Sequence, residues 1–182
     1  MGLGLLVVGG IVVLYLVLVF NGLVRLRMLS HNAYADIDVQ LKRRHDLIPN
    51  LVETVKGYAA HEKEVFENVS AARSAAINAS GPAEAGRAEG ALTGALGRLF
   101  AVAEAYPQLR AAESFTELQR ELANTEDQIA GSRRIYNGNV QAYNTKIQVF
   151  PNNLIAGPSG FTRREFFEIE DPAERAVPQV RF

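Results

Sequence analysis

The chain has 182 residues, a near-balanced charge of 19 Lys and Arg against 20 Asp and Glu, and no cysteine. That length holds one domain and a short appendage. Thiolate catalysis, disulfides and thiolate metal ligands are excluded. A net charge of −1 does not suit a nucleic-acid binder, whose phosphate contacts need a concentrated basic excess.

Residues 2–24 carry no charged side chain, and Leu3–Phe20 consists of Leu, Val, Ile, Gly and two aromatics. A helix needs about 20 such residues to cross a hydrocarbon core roughly 30 Å thick, and in lipid a helix satisfies its own backbone. A cleaved signal peptide would want a basic leading region and a small-residue cleavage site, which neither Met1-Gly2 nor Asn21-Gly22-Leu23-Val24-Arg25 supplies. A buried core helix would need cover on every side. Residues 1–24 are therefore expected to be an uncleaved anchor in an inner or plasma membrane, with the lipid bilayer as partner through residues 2–24.

The first bundle helix shows Tyr34, Ile37, Leu41, Ile48, Leu51, Val55 and Tyr58 at spacings of three and four, with Arg44 at the missing step. No Pro or Gly separates it from the anchor, so the two are expected to form one helix. Pro49 lies inside the pattern, where it removes a backbone donor and crowds the carbonyl of His45. The stripe keeps its phase across it, which predicts a kink rather than a stop. Gly57 and Ala59-Ala60-His61 mark a turn. The second helix opens with Glu62, Glu64 and Glu67 near its positive end, buries Phe66, Val69, Ala72 and Ala76, and closes at Asn78-Ala79-Ser80-Gly81-Pro82. A third helix starts near Pro82, with Leu92, Leu96, Leu99, Ala103 and Tyr106 as its stripe and Pro107 at its close. The fourth begins at Ser114-Phe115-Thr116-Glu117, which reads as a capping box. Leu118, Leu122, Thr125, Ile129, Ser132, Tyr136, Val140, Tyr143, Ile147 and Phe150 then keep the rhythm until Pro151. It is the long one, about 37 residues or roughly 55 Å.

These lengths constrain the architecture. The second and third helices can cover only half of the long pair, which leaves the membrane-proximal half bare. Phe161, Phe166, Phe167 and Ile169 in the tail are suited to cover it, since exposed they would be an aggregation liability. The expected fold is all-α: an N-terminal transmembrane helix (1–24), an elongated antiparallel four-helix bundle (25–150), and a mostly non-helical C-terminal tail (151–182) packed along it.

Chemistry is hard to find. His31, His45 and His61 are more than about 20 Å apart along continuous helix and cannot share a metal. His61-Glu62 lacks the second histidine of a zinc-hydrolase helix, and the Glu-x-x-His pairs of di-iron bundles are absent. No serine sits in a nucleophile elbow, and Gly81, Gly86, Gly90, Gly94 and Gly97 have no phosphate-binding spacing. No catalytic, cofactor-binding or metal-binding residue is assigned, and no cofactor is expected. The basic run Lys42-Arg43-Arg44-His45-Asp46 reads as a solvated helix face or a protein contact. Lipid headgroups lie far from it, since Lys42 is about 27 Å beyond Val24 on an upright helix. Arg44 falls on the apolar stripe. It is either buried and paired, with Glu126 and Asp127 as partners, or it lifts its guanidinium to the edge over buried methylenes. Tyr136-Asn137 and Tyr143-Asn144 repeat at seven residues, a polar ladder that suits fixing helix register.

The segment from Ile37 to Ala59, IDVQLKRRHDLIPNLVETVKGYA, resembles the signature of the LemA family. So do Glu104-Ala105-Tyr106-Pro107, Phe115-Thr116-Glu117-Leu118-Gln119, Thr125-Glu126-Asp127-Gln128-Ile129, Arg134-Ile135-Tyr136-Asn137 with Tyr143-Asn144, and Phe150-Pro151. The resemblance covers nearly the whole chain. It implies a short N-terminal anchor and an antiparallel helical bundle, and it supplies no catalytic role to transfer. A magnetosome-associated branch of that family exists, and no motif marks this chain as part of it. Tyr34 stands where relatives often carry tryptophan.

The function expected is a membrane-tethered scaffold or protein-interaction module, whose partner is a membrane or membrane-associated protein or a second copy of the chain, with no nucleic acid involved. The alternative is an enzyme or small-ligand receptor with a pocket beneath the C-terminal tail. Arg25, Arg27, Lys42, Arg43 and Arg44 follow the anchor closely, a bias that points to a cytoplasmic bundle. Export of the near-neutral, cysteine-free bundle by an uncleaved anchor is the other reading.

Overall fold

The computed structural model describes residues Gly2–Ile169. Its helices are α1 (Gly2–Lys56), α2 (Lys63–Asn78), α3 (Pro82–Glu104), α4 (Pro107–Arg110), α5 (Glu113–Gln148) and α6 (Asn153–Ala156), and no strand occurs among the described residues. The fold is an all-α helical bundle with an apolar N-terminal helix. Anchor and first bundle helix are one element, because nothing from Arg25 to Leu29 breaks α1. An 18-residue stretch of it is apolar enough to cross a membrane, and only 6% of that stretch is buried. A core helix would be covered, whereas Leu3, Leu6, Leu14 and Leu18 stand in the open. The chain is a single-pass membrane protein.

The residues divide into two compact units, each holding part of both long helices. In one, α1 as far as Asp36 is joined by Ser132–Phe166. Its core is Val19 and Leu23 of α1, Tyr143 and Ile147 of α5, Ala156 and Phe161. In the other, residues 37–131 are joined by the described residues from Phe167 on. There Ile48, Leu51 and Val55 pack with Phe66 and Val69 of α2, Leu92, Leu96 and Leu99 of α3, Leu109 of α4, and Phe115 and Leu122 of α5. The stripes read from the sequence supply most of these side chains, as burial of one face per amphipathic helix requires.

Three local expectations need correction. Helix α5 begins at Glu113, so Ser114 lies inside its first turn instead of capping it. Pro107 opens the four-residue α4, where its missing N–H costs nothing at a first position. Phe150, placed on the apolar stripe, lies past the end of α5 at Gln148 and is 79% exposed. Phe161 and Phe167 of the tail are buried as expected, and Phe166 and Ile169 are half-buried. The part of the tail beyond Ile169 lies outside the described residues.

Candidate functional site

A buried polar cluster occupies the core of the second unit. Arg44 is on the apolar phase of α1, and Glu89 precedes Leu92 on the stripe of α3, so packing the two stripes brings their charges together. Both side chains are almost wholly inaccessible. Arg44 Nη1 donates to Glu89 Oε2 at 3.1 Å and lies 3.2 Å from Glu126 Oε2 of α5, while Nη2 donates to Thr93 Oγ1 at 2.8 Å. Thr93 is one turn beyond Glu89 on the same face and returns its own hydroxyl to the Glu89 carbonyl at 3.0 Å. The other Glu89 oxygen, Oε1, meets His45 Nε2 at 2.6 Å. With Glu89 ionised, Nε2 carries the proton and donates it, which fixes the ring tautomer. The guanidinium thus joins α1, α3 and α5, and both carboxylate oxygens of Glu89 are engaged.

The same turn of α1 explains Pro49. Proline cannot donate to the carbonyl four residues earlier, which leaves His45 O without its helical partner. Arg73 of α2 donates its Nε to that oxygen at 2.7 Å. The helix continues through Pro49 because a side chain from a neighbouring helix replaces the lost donor. Arg73 and Pro49 also line an open groove of about 690 Å³ between α1 and α2. Ile48, Val52 and Phe66 make it apolar, whereas Glu53, Lys56, Lys63 and Glu67 set both signs of charge along it. None of Phe161–Ile169 lines this groove.

In the first unit Tyr136 and Asn144 of the Tyr–Asn repeat also hold the tail. Tyr136 donates its hydroxyl to Glu165 O at 2.7 Å. Asn144 clasps Arg164 from both sides, its Nδ2 donating to Arg164 O and its Oδ1 accepting from Arg164 N, each at 2.9 Å. Tyr34 stacks at a tilt on Tyr136, with ring centroids 5.5 Å apart. Burial pushes the Tyr136 phenol above the usual tyrosine range, with nearby Arg164 opposing and Glu165 adding to the rise. Burial also raises Tyr143, against Arg27 and Arg164.

The basic run 42–46 is divided by helix periodicity. Lys42, Arg43 and Asp46 are exposed, and Arg44 and His45 are buried. Arg44 is therefore paired and not lifted to the edge. Its partners include Glu126, whereas Asp127 is exposed. Glu89 is the side chain that sequence reasoning missed. Its signal was available, since it occupies a stripe position of α3 as Arg44 does of α1. His31 and His61 are exposed and separate from His45. Among the described residues no group of three or more His, Cys, Asp or Glu side chains could hold a metal ion.

The LemA family model matches residues 33–182, most of the chain and both units. This chain belongs to the LemA family. Magnetosome protein MamQ 2 of Paramagnetospirillum magneticum is 30% identical over 165 residues, 76% of this chain and 60% of that protein. Magnetosome protein MamQ of Magnetospirillum gryphiswaldense matches to the same extent. Protein LemA of Metamycoplasma hominis is 29% identical over 140 residues, 75% of this chain and 63% of its own length. The chain spans about three-fifths of the length of these curated relatives.

Proposed function

We propose that this LemA-family chain is a membrane-tethered, non-enzymatic interaction module whose α1–α2 groove takes a segment of a membrane-associated protein. In this reading residues 1–24 anchor, 25–150 form the bundle that presents the groove, and 151–182 are its C-terminal tail, which braces the bundle through 161–169, with the bundle on the cytoplasmic side. The observation that carries it is the groove, an open apolar channel with charge of both signs along it. Such a channel suits an amphipathic helix that brings apolar anchors and complementary charges. The buried cluster supports the same reading. Its carboxylate and guanidinium are engaged with each other, which suits holding helices in register more than presenting a reactive group.

A photo-crosslinking side chain at Lys63 or Glu67, in the full chain in its native membrane, tests the proposal against the same group at exposed Arg120. A discrete adduct with another membrane protein should form from the groove positions and weaken when Lys56 is reversed to Glu. Equal adducts from Arg120, or none from the groove, would remove the reading. An adduct with a second copy would identify self-association instead. The second reading is a small-ligand receptor, favoured by the groove's volume, within the range of about 300–1,000 Å³ usual for small-molecule sites. Native mass spectrometry of the protein from its own membrane would reveal it as retained ligand mass.

A further inference from the structure

Past the end of α5 the chain doubles back against α1. Ala156 and Phe161 pack with Val19 and Leu23, and Phe161 meets Phe20 edge-on at 5.5 Å between centroids. Tyr15 donates its hydroxyl to Asn152 Oδ1 at 3.1 Å. The turn 149–161 therefore lies beside Tyr15–Leu23, inside the uncharged run of the anchor. Between Tyr15 and Val24 a helix rises about 14 Å. The bilayer cannot end at Tyr15, because Val17, Leu18 and Phe20 remain exposed beyond it, at 49%, 62% and 43%. No side chain of α1 itself is charged before Arg25, and the first cation to meet that surface is Lys146, whose Nζ lies against Gly22. Lipid that covers these faces also reaches the turn.

The turn is built for that environment. From Asn153 to Phe161 every backbone N–H is bonded within the segment, to carbonyls of Val149, Pro151, Asn152, Asn153, Ile155, Ala156 and Gly157; Pro158 has none to satisfy. A backbone near hydrocarbon must satisfy itself in this way, and the N–H groups of Phe150 and Asn152, which these bonds leave out, suit the headgroup level where water reaches them. Its apolar side chains face outward: Phe150 is 79% exposed, Leu154 65% and Val149 44%. Cations stand where headgroups would meet them. Arg27 lies 5.2 Å from the centre of the Phe161 ring. Lys146 Nζ occupies the space that a Cβ on Gly22 would take. We propose that the turn Val149–Leu154 is a second membrane contact, inserting Phe150 and Leu154 at the boundary of acyl chains and headgroups in the leaflet where the anchor ends. Such an element sits shallowly, about 5–10 Å into that boundary. Together with α1 it holds the first unit against the membrane at two points, so that the unit cannot spin about a single tether.

The chain has no tryptophan, so Phe150→Trp or Leu154→Trp in the full chain creates a single reporter. Each is reconstituted in phosphatidylcholine–phosphatidylglycerol vesicles with lipid brominated high on the acyl chain. Val39→Trp, at an exposed apolar site of α1, is the control for indole alone. Expected are blue-shifted emission, strong bromolipid quenching and protection from aqueous iodide at positions 150 and 154, with the reverse for the control. Iodide quenching without bromolipid quenching at both positions would place the turn in water and overturn the proposal. Blue-shifted emission that bromolipid leaves unchanged would also overturn it, because a second protein copy would then cover the patch. Far-UV circular dichroism of each variant confirms that helix content is kept. Loss of the protein-partner adduct from the groove would leave these readings unchanged.

Discussion

At the scale of single residues, Arg44 and Glu89 are costly to separate, because each is buried with its charge facing the other. Removing one member of a buried ion pair strands the other, at a cost of about 3–5 kcal/mol. Glu89→Ala leaves Arg44 with Glu126 and Thr93, and deprives the His45 ring of the oxygen it now bonds. It should lower stability by that amount in thermal or denaturant unfolding of the full chain in detergent. Glu126→Ala should cost about 1 kcal/mol or less, because that carboxylate is 45% exposed. Tyr136 carries a pH dependence of definite sign. Burial keeps its phenol protonated in the folded chain at pH values where the unfolded chain, near pH 10, has begun to release the proton. Above that point the unfolded state binds fewer protons, so stability is whole at neutral pH and falls as pH rises. Tyr136→Phe should lower the midpoint at neutral pH, through loss of the bond to Glu165, and flatten the alkaline decline. An equally steep alkaline limb in the variant would contradict this. Arg44 was legible in the sequence as a charge on an apolar phase, and Glu89 carried the same signal on α3, but neither stripe tells which charge on another helix it faces.

Among elements, α1 owes its continuity at Pro49 to α2. Arg73→Ala orphans the His45 carbonyl and should cost about 1–3 kcal/mol. With Pro49→Ala already in place, the restored N–H at position 49 can bond that carbonyl, and the second substitution should cost little. The double-mutant cycle should therefore return a coupling of about 1–2 kcal/mol. Additive effects would show that Arg73 acts through the groove surface instead. Gly86 has a comparable role between α3 and the tail, because a methyl there would overlap the backbone carbonyl of Glu168. The long helices were legible because their stripes run for many turns. The four-residue α4 and α6 were not, since one turn is too short to show a period. The Tyr–Asn ladder was legible as a pattern, but the tail contacts of Tyr136 and Asn144 were not. The partners are backbone groups of Arg164 and Glu165, and the side chains of a segment do not tell which of its carbonyls and N–H groups are bonded.

For the whole molecule, the anchor and the helical class followed from hydrophobic length and spacing, whereas the division into two units did not. That division depends on which distant stretches meet, and periodicity carries no such information. Sidedness is open to one measurement because the chain has no cysteine of its own. Glu67→Cys, exposed on α2, should react with a membrane-impermeant thiol reagent only after lysis if the charge bias sets topology. Labelling of intact cells would put the bundle outside. The pairing of Tyr15 with Asn152 also sets an order of events. The two residues are 137 apart in the chain, and synthesis at about 5–20 residues per second separates their appearance by on the order of ten seconds. Throughout that interval the face formed by Val19 and Leu23 has lipid or translocon for its neighbour. The first unit closes only when Tyr143, Ile147 and the turn after α5 reach that face and displace the neighbour, so its assembly is an exchange of partners along a helix that is already anchored.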